Sequence, residues 1–206
     1  MARYTGPKNR IARRFGLNIF GRVRNPLVHK AHPAGMHGMK RKKKSDFGVQ
    51  LEEKQKLKAV FGMISEKQLL SYFQEASSKH LNTPEIFMQF LECRLDVAVW
   101  RLKLAPTIFA AHQLVAHGHI LVNGKRVDRR SFRVKPGMVV SVKAPARKMK
   151  VVDESVTSGN RTVPSYYEVQ DGGFAGKLLA LPSMGDISLP LEINIPMICD
   201  FVAHRA

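Results

Sequence analysis

The first 45 residues contain no aspartate and no glutamate, and their first serine is Ser45. The thirteen Lys or Arg of that stretch are therefore unbalanced, while the shortage of serine argues against an organelle transit peptide, a class rich in Ser as well as Arg. Cysteine is scarce. Cys93 and Cys199 each lie among apolar neighbours with no second cysteine at metal-site spacing, so both read as buried thiols of a reducing compartment. Long apolar runs are missing too: charge interrupts each one well short of the ~18 residues of a spanning helix. The basic stretches also lack a large apolar face for lying on a bilayer. No membrane partner is expected.

What the chain has in quantity is positive charge. A formal +18 on 206 residues would repel itself in a lone compact protein, so a polyanion partner is the simplest account of it, and nucleic acid is the first candidate. The apolar content of 44% still allows a packed core. Net charge divides the chain into four parts: +13 over residues 1–45, −1 over 46–91, +10 over 92–150 and −4 over 151–206. This alternation predicts a basic RNA-binding arm (1–45), a helical lobe (46–91) completed by the C-terminal segment, and a helix-hairpin RNA-binding module (92–150). A C-terminal piece of strands and a short helix (151–206) is expected to pack back on the lobes. The fold class is α+β.

The module is organised around Ile120 to Val127. Asn123-Gly124 between apolar residues is a strong hairpin signal, because both central residues of a type I′ turn need positive φ. Ahead of it, Thr107 to His117 reads as a short helix, with Thr107 as N-cap and Gly118 closing it in the left-handed conformation. Val139 to Val142 reads as a strand after the Pro136-Gly137 turn, giving two helices packed on a short antiparallel sheet. Upstream, Ser65 with Gln68 forms a capping-box pattern, Glu52 and Lys56 an i,i+4 pair, and Gly62 a break between helices. Thr83-Pro84 starts a helix whose Phe87, Leu91, Leu95, Val99 and Leu102 recur at core spacing, with Arg94 and Arg101 sharing its outward face. In the arm, Gly6, Pro7, Gly16, Gly21, Pro26, Pro33, Gly35 and Gly38 predict extended chain. Downstream, Tyr166 to Val169 and Leu191 to Ile195 alternate as strands do, and Pro196 to Val202 reads as a last short helix.

Phosphate contact is expected from the arm's Arg3, Lys8, Arg10, Arg13, Arg14, Arg22, Arg24, His37, Lys40, Arg41, Lys42, Lys43 and Lys44. In the module the candidates are Arg94, Thr107, Gln113, His117, His119, Asn123, Gly124, Lys125, Arg126, Arg129 and Arg130, with Asn123 and Gly124 also serving the turn. His29, His32 and His37 have the spacing to share a metal, but structural zinc usually includes thiolates and the arm has none; neither metal nor cofactor is expected. Catalysis is not expected either. An RNA-modifying enzyme would need a nucleophile and base, and no convergent set follows Lys150. A nonspecific cationic binder is the other alternative; it would bind duplex DNA and structured RNA alike.

Specific stretches carry a resemblance: Met1 to Lys8, Gly35-Met36-His37-Gly38, Ser45 to Leu51 with Glu53 to Lys56, Glu92 to Asp96, His112 to Val115, and Ile120 to Val127. Through these the chain resembles the family of the fourth protein of the bacterial-type small ribosomal subunit, over nearly its whole length. The resemblance implies early, direct binding to 16S ribosomal RNA at a helix junction of the 5′ domain, nucleation of the subunit body, and a contribution to decoding accuracy. It also implies two folded lobes, the fifth ribosomal protein as neighbour, messenger RNA close by where it enters the subunit, and no homo-oligomer. Family members often carry Arg just after the Thr107 position and just before that of Gln113. Here Ile108 and His112 stand there, which leaves Arg129 and Arg130 to compensate.

Overall fold

The computed structural model describes residues 4–22, 24–40, 43–158 and 161–204; Arg3, Arg41 and Lys42 of the expected contacts lie outside them. Along the chain the helices are α1 (Lys8–Phe15), α2 (Asp46–Val60), α3 (Glu66–Ser77), α4 (Thr83–Glu92), α5 (Leu95–Arg101), α6 (Ile108–Ala116), α7 (Ala144–Arg147), α8 (Lys150–Thr157) and α9 (Ile195–Ala203). The strands are β1 (Ile120–Val122), β2 (Lys125–Arg126), β3 (Val139–Val142), β4 (Tyr167–Gln170) and β5 (Ala175–Leu178). They gather into two compact units, one formed by Met1–Pro84 with Leu189–Ala206, the other by Glu85–Ser188. The segment 151–206 is thus not one piece: its first part belongs to the second unit and its end to the first.

The first unit corrects the expectation of an extended arm. Its breakers flank a helix instead of interrupting one. Pro7 holds the extended N-cap position of α1, and Gly16, at φ +67°, closes it by donating to the Ala12 carbonyl. The turn is then tied to the chain beyond, because Arg13 donates from Nε to the His32 carbonyl (2.9 Å) and from Nη2 to that of Pro33 (3.3 Å). Ser45 and Ser65 cap α2 and α3 by accepting from the Gly48 and Gln68 N–H groups, and Gly62 (φ +68°) lies between the two helices.

Ion pairs knit this unit differently from the i,i+4 expectation. Glu52 meets Lys44, and Lys56 meets Glu53 at 2.5 Å, because Glu53 lies one turn behind it on the same face. Glu66, in the first turn of α3, accepts from Lys54 (2.6 Å) and Lys58 (2.7 Å). Burial pushes its carboxyl up, but these two ammonium groups outweigh that and hold it below the usual value. The strand expected at Leu191 to Ile195 does not form. The alternation survives as burial, with Leu191 and Ile193 half-buried and Ile195 buried, but there is no ladder. Instead the Asn194 N–H donates to Glu53 (3.0 Å), and the Asn194 side chain caps α9 through the Met197 N–H (3.0 Å). From α9, Phe201 packs edge-on against Phe47 (5.3 Å) and under the Lys54 ammonium (4.9 Å).

The second unit packs α5 and α6, with Ala146 of α7 and Val152 of α8, against a five-stranded antiparallel sheet of order β2-β1-β3-β5-β4. The hairpin forms as expected. Leu121 faces Arg126 and Val122 faces Lys125 across a two-residue turn, with φ +48° at Asn123 and +77° at Gly124. Asn123 also accepts from the Val139 N–H through its side chain (2.8 Å), locking the turn to β3. The strands β4 and β5 extend this same sheet: Val140 of β3 faces Gly176 of β5, where a Cβ would stand 2.2 Å from a Leu102 methyl. Only glycine lets strand and helix approach that closely.

One long helix was expected from Thr83 to Leu102, and it breaks at Cys93-Arg94. Arg94 is extended (ψ 142°) and bridges Arg133; the Leu95 N–H donates to the Phe132 carbonyl and the Val134 N–H to that of Cys93, both at 2.8 Å. The backbone at the break therefore pairs with residues 132–134 instead of continuing the helix. All five apolar residues of the expected stripe are buried nonetheless. Both cysteines are buried, and desolvation pushes their thiols up to about 12 for Cys93 and about 11 for Cys199. Among the described residues no helix is long and apolar enough to cross a membrane.

Candidate nucleic-acid interface

Helix α6 and the hairpin are held by features legible in the residues themselves. The Thr107 hydroxyl accepts from the Ala110 N–H (3.1 Å), starting α6. Gly118, at φ +73°, ends it, and a Cβ there would lie 2.2 Å from the Arg126 Nε. Arg126 thus lies across the only side-chain-free position between α6 and β1. Gly118→Ala is expected to cost about 1–2 kcal/mol, from the left-handed strain together with displacement of Arg126. A urea titration of wild type against variant checks it.

Two carboxylates of the second unit are withdrawn from the surface. Glu92 and Asp96 are both 0% exposed. The Glu92 Oε1 accepts from Arg101 and from the Tyr166 hydroxyl (2.8 Å). Asp96 takes Arg94 on both oxygens, Nε at 3.0 Å and Nη2 at 2.6 Å, and the Val97 N–H at 3.0 Å. Burial pushes the Asp96 carboxyl up; the Arg94 charge with the Arg94 and His112 hydrogen bonds wins, and the net direction is down. This geometry corrects two expectations. Arg94 and Arg101 do not share an outward face: Arg94 is 4% exposed and its fork is spent on Asp96, and Arg101 turns to Glu92 and the Ser188 carbonyl (2.9 Å). The helix break at Cys93-Arg94, just ahead of α5, turns both inward. Arg94, expected at the surface, is therefore a core ion-pair partner.

With those two matched inside, eleven of the thirteen cations between residues 92 and 150 remain, against Asp128 alone. Lys125, Arg126 and Arg129 are exposed, as are Gln113 and His117; His119 and Arg130 are half-buried. His117 and His119 stand with ring centres 6.0 Å apart. The Lys143 N–H donates to the His119 carbonyl (2.9 Å), which adds an exposed lysine to this edge that was not among the candidates. Its signal was there, at the end of the strand that pairs with β1. Ile108 is buried in the core and His112 is nearly so.

In the first unit Arg10, Arg14, Arg22, Arg24, His37, Lys40, Lys43 and Lys44 are exposed, and Lys8 is half-buried. Arg13 is the exception in kind, since its guanidinium serves the arm's own backbone, and Arg22 donates to the Asn9 side chain (2.6 Å). Arg10, Ile11, Arg14, Pro33, Ala34, Lys44 and Glu52 line a cleft of about 450 Å³. Of the arm's aromatics, Phe20 is buried and Arg14 lies over Phe15 (5.6 Å).

Two family descriptions fit these two parts of the chain. Residues 3–92 match the ribosomal protein S4/S9 N-terminal domain, and residues 93–140 match the S4 domain, which spans α5, α6, the hairpin and the start of β3. Over its full length the chain is 60% identical to the small ribosomal subunit protein uS4 of Protochlamydia amoebophila (99% of each chain). It is 57% identical to those of Chlamydia caviae and Chlamydia pneumoniae, with 100% of each chain covered. The chain belongs to the uS4 family of small ribosomal subunit proteins. This family is non-enzymatic, and the two buried carboxylates of the second unit are spent on arginines, as structural groups are. The S4-domain match ends before β4 and β5, so the last two strands of the sheet lie outside the stretch by which that domain is defined.

Proposed function

We propose that this chain is a structural constituent of the small ribosomal subunit in the cytoplasm. It binds 16S ribosomal RNA directly and early, nucleates folding of the subunit body, and contributes to translational accuracy where messenger enters, beside the fifth ribosomal protein. The observation carrying this reading is the full-length likeness to proteins named small ribosomal subunit protein uS4. The charge layout agrees with it: Glu92 and Asp96 are buried on arginines, and cations face outward on the hairpin and on the arm. Such a surface gains affinity by releasing counterions, and a rigid hairpin and helix can select a folded junction by shape and by contacts to sugar and phosphate. The domain division expected from charge is kept in this proposal as arm, helical lobe and helix-hairpin module.

The test is the affinity of the purified protein for a 16S 5′-domain transcript against an unrelated RNA of equal length, across a salt series. A preference that survives at high salt, with a slope reporting several phosphates, supports the reading. Equal affinities that collapse together with salt would leave only a nonspecific cationic binder.

A further inference from the structure

We infer that Arg130 is a phosphate-contacting cation of the second unit whose direction is set in advance, and that His112 is the positioning residue that sets it. This rests on the RNA-binding reading above. Lys125, Arg126 and Arg129 are exposed, and a long exposed cation adds affinity with little demand on geometry. Arg130 is held differently. It is half-buried, its carbonyl accepts the Asp96 N–H (3.4 Å), and its Nη1 lies 3.1 Å from the His112 Nδ1.

A guanidinium can only donate, so the His112 Nδ1 in that contact is the acceptor. The ring proton is then on Nε2, which stands 3.1 Å from the Asp96 Oδ2, within reach though not ideally aligned. A neutral imidazole thus links a buried carboxylate to a surface guanidinium. Each member is fixed in turn: Asp96 by the two-pronged Arg94 contact, and His112 by its burial on α6 and its edge-to-face contact with Phe109 (5.6 Å, 82°). The order Arg94, Asp96, His112, Arg130 carries rigidity from the core to the surface. Because Arg130 is already oriented, less side-chain freedom is lost when a phosphate docks on it. A planar, pre-aimed fork suits a phosphate's paired oxygens. His112 and Arg130 are eighteen positions apart, and local pattern gives no sign of their coupling.

The experiment is a double-mutant cycle in the full-length protein, reading affinity for the 16S 5′-domain transcript with a thermal melt of each form. Arg130→Ala is expected to weaken binding about tenfold. His112→Leu removes no cation, yet should weaken binding several-fold with the salt slope unchanged, and should add less than about twofold once Arg130 is gone. His112→Gln is expected to restore near wild-type binding, since its amide can accept from Arg130 and donate to Asp96. Should His112→Leu fail to fold, Arg130→Lys decides: it keeps the charge without the fork and is expected to bind nearly as weakly as Arg130→Ala. Wild-type affinity in Arg130→Ala or Arg130→Lys would overturn the proposal, as would an equal His112→Leu penalty with and without Arg130. Loss of all preference for the 5′-domain transcript in the wild type would instead overturn the reading beneath it.

Discussion

Asp96→Ala is expected to unfold the second unit or to lower its stability by about 3–5 kcal/mol, because it strands the Arg94 guanidinium inside the core without its counter-charge. Domains have only about 5–15 kcal/mol in total, so this single change removes a large share. At roughly 4–8 °C per kcal/mol for a unit of this size, the melting temperature should fall by more than 10 °C. The cause is desolvation. Arg94 and Asp96 together are a weak source of net stability, since attraction and desolvation nearly offset, but either one alone is costly. Arg94→Met with Asp96→Leu should therefore recover a good part of what Asp96→Ala loses, short of full recovery because the Val97 N–H and His112 also use this carboxylate. The pH dependence has a definite sign. Asp96 titrates below its ordinary value of about 3.9 in the folded state, so its contribution is fully present above that value and is lost as pH falls through the lower folded one. Wild type should thus lose more stability in this acid window than Asp96→Ala, in which only the other depressed carboxylates, such as Glu66, still contribute. Chemical denaturation at neutral pH and at successively lower pH measures both.

The same buried pair shows where local pattern stops being informative. Caps and turns were legible because their chemistry lies within four residues: Ser65, Thr107, Asn123-Gly124 and Gly118 each do in the structure what their residue types favour. The apolar stripe from Phe87 to Leu102 was legible as core. The break in the middle of it was not, since it depends on backbone pairing with residues 132–134, some forty positions away. Arg94 and Arg101 share an outward face only on an unbroken helix; with the break ahead of α5 the two side chains meet Asp96 and Glu92 instead. Long-range strand pairing was equally hidden. Nothing local in Ala175 to Leu178 announces Val139 to Val142 as its partner, and nothing in Leu191 to Ile195 announces that a ladder partner is missing. In the arm, glycine and proline have the composition of breakers, although the same residues just outside eight helix-compatible ones serve as caps.

The arm gives the second large effect, on binding and not on folding. Arg10, Arg14, Arg24 and Lys43 are all exposed, so replacing the four with Gln should leave stability within about 0.5 kcal/mol of wild type. If each meets one phosphate, the slope of log affinity against log salt should become less negative by about 3, at roughly 0.7–0.9 per contact. Near physiological salt this corresponds to a loss on the order of several hundred-fold. Arg13→Gln separates charge from architecture within the same helix. It removes one cation, so the counterion account alone allows a slope change of less than about 1. Its guanidinium, however, ties α1 to the carbonyls of His32 and Pro33, and without it the segment around those residues should become more open to proteolysis in the free protein. A protease time course and a salt series on the two variants should therefore give opposite rankings: the quadruple variant resistant but weakly bound, Arg13→Gln readily cleaved and close to wild type in slope. Matching rankings would mean that the arm's shape and its charge are one property, with Arg13 a phosphate ligand like its neighbours.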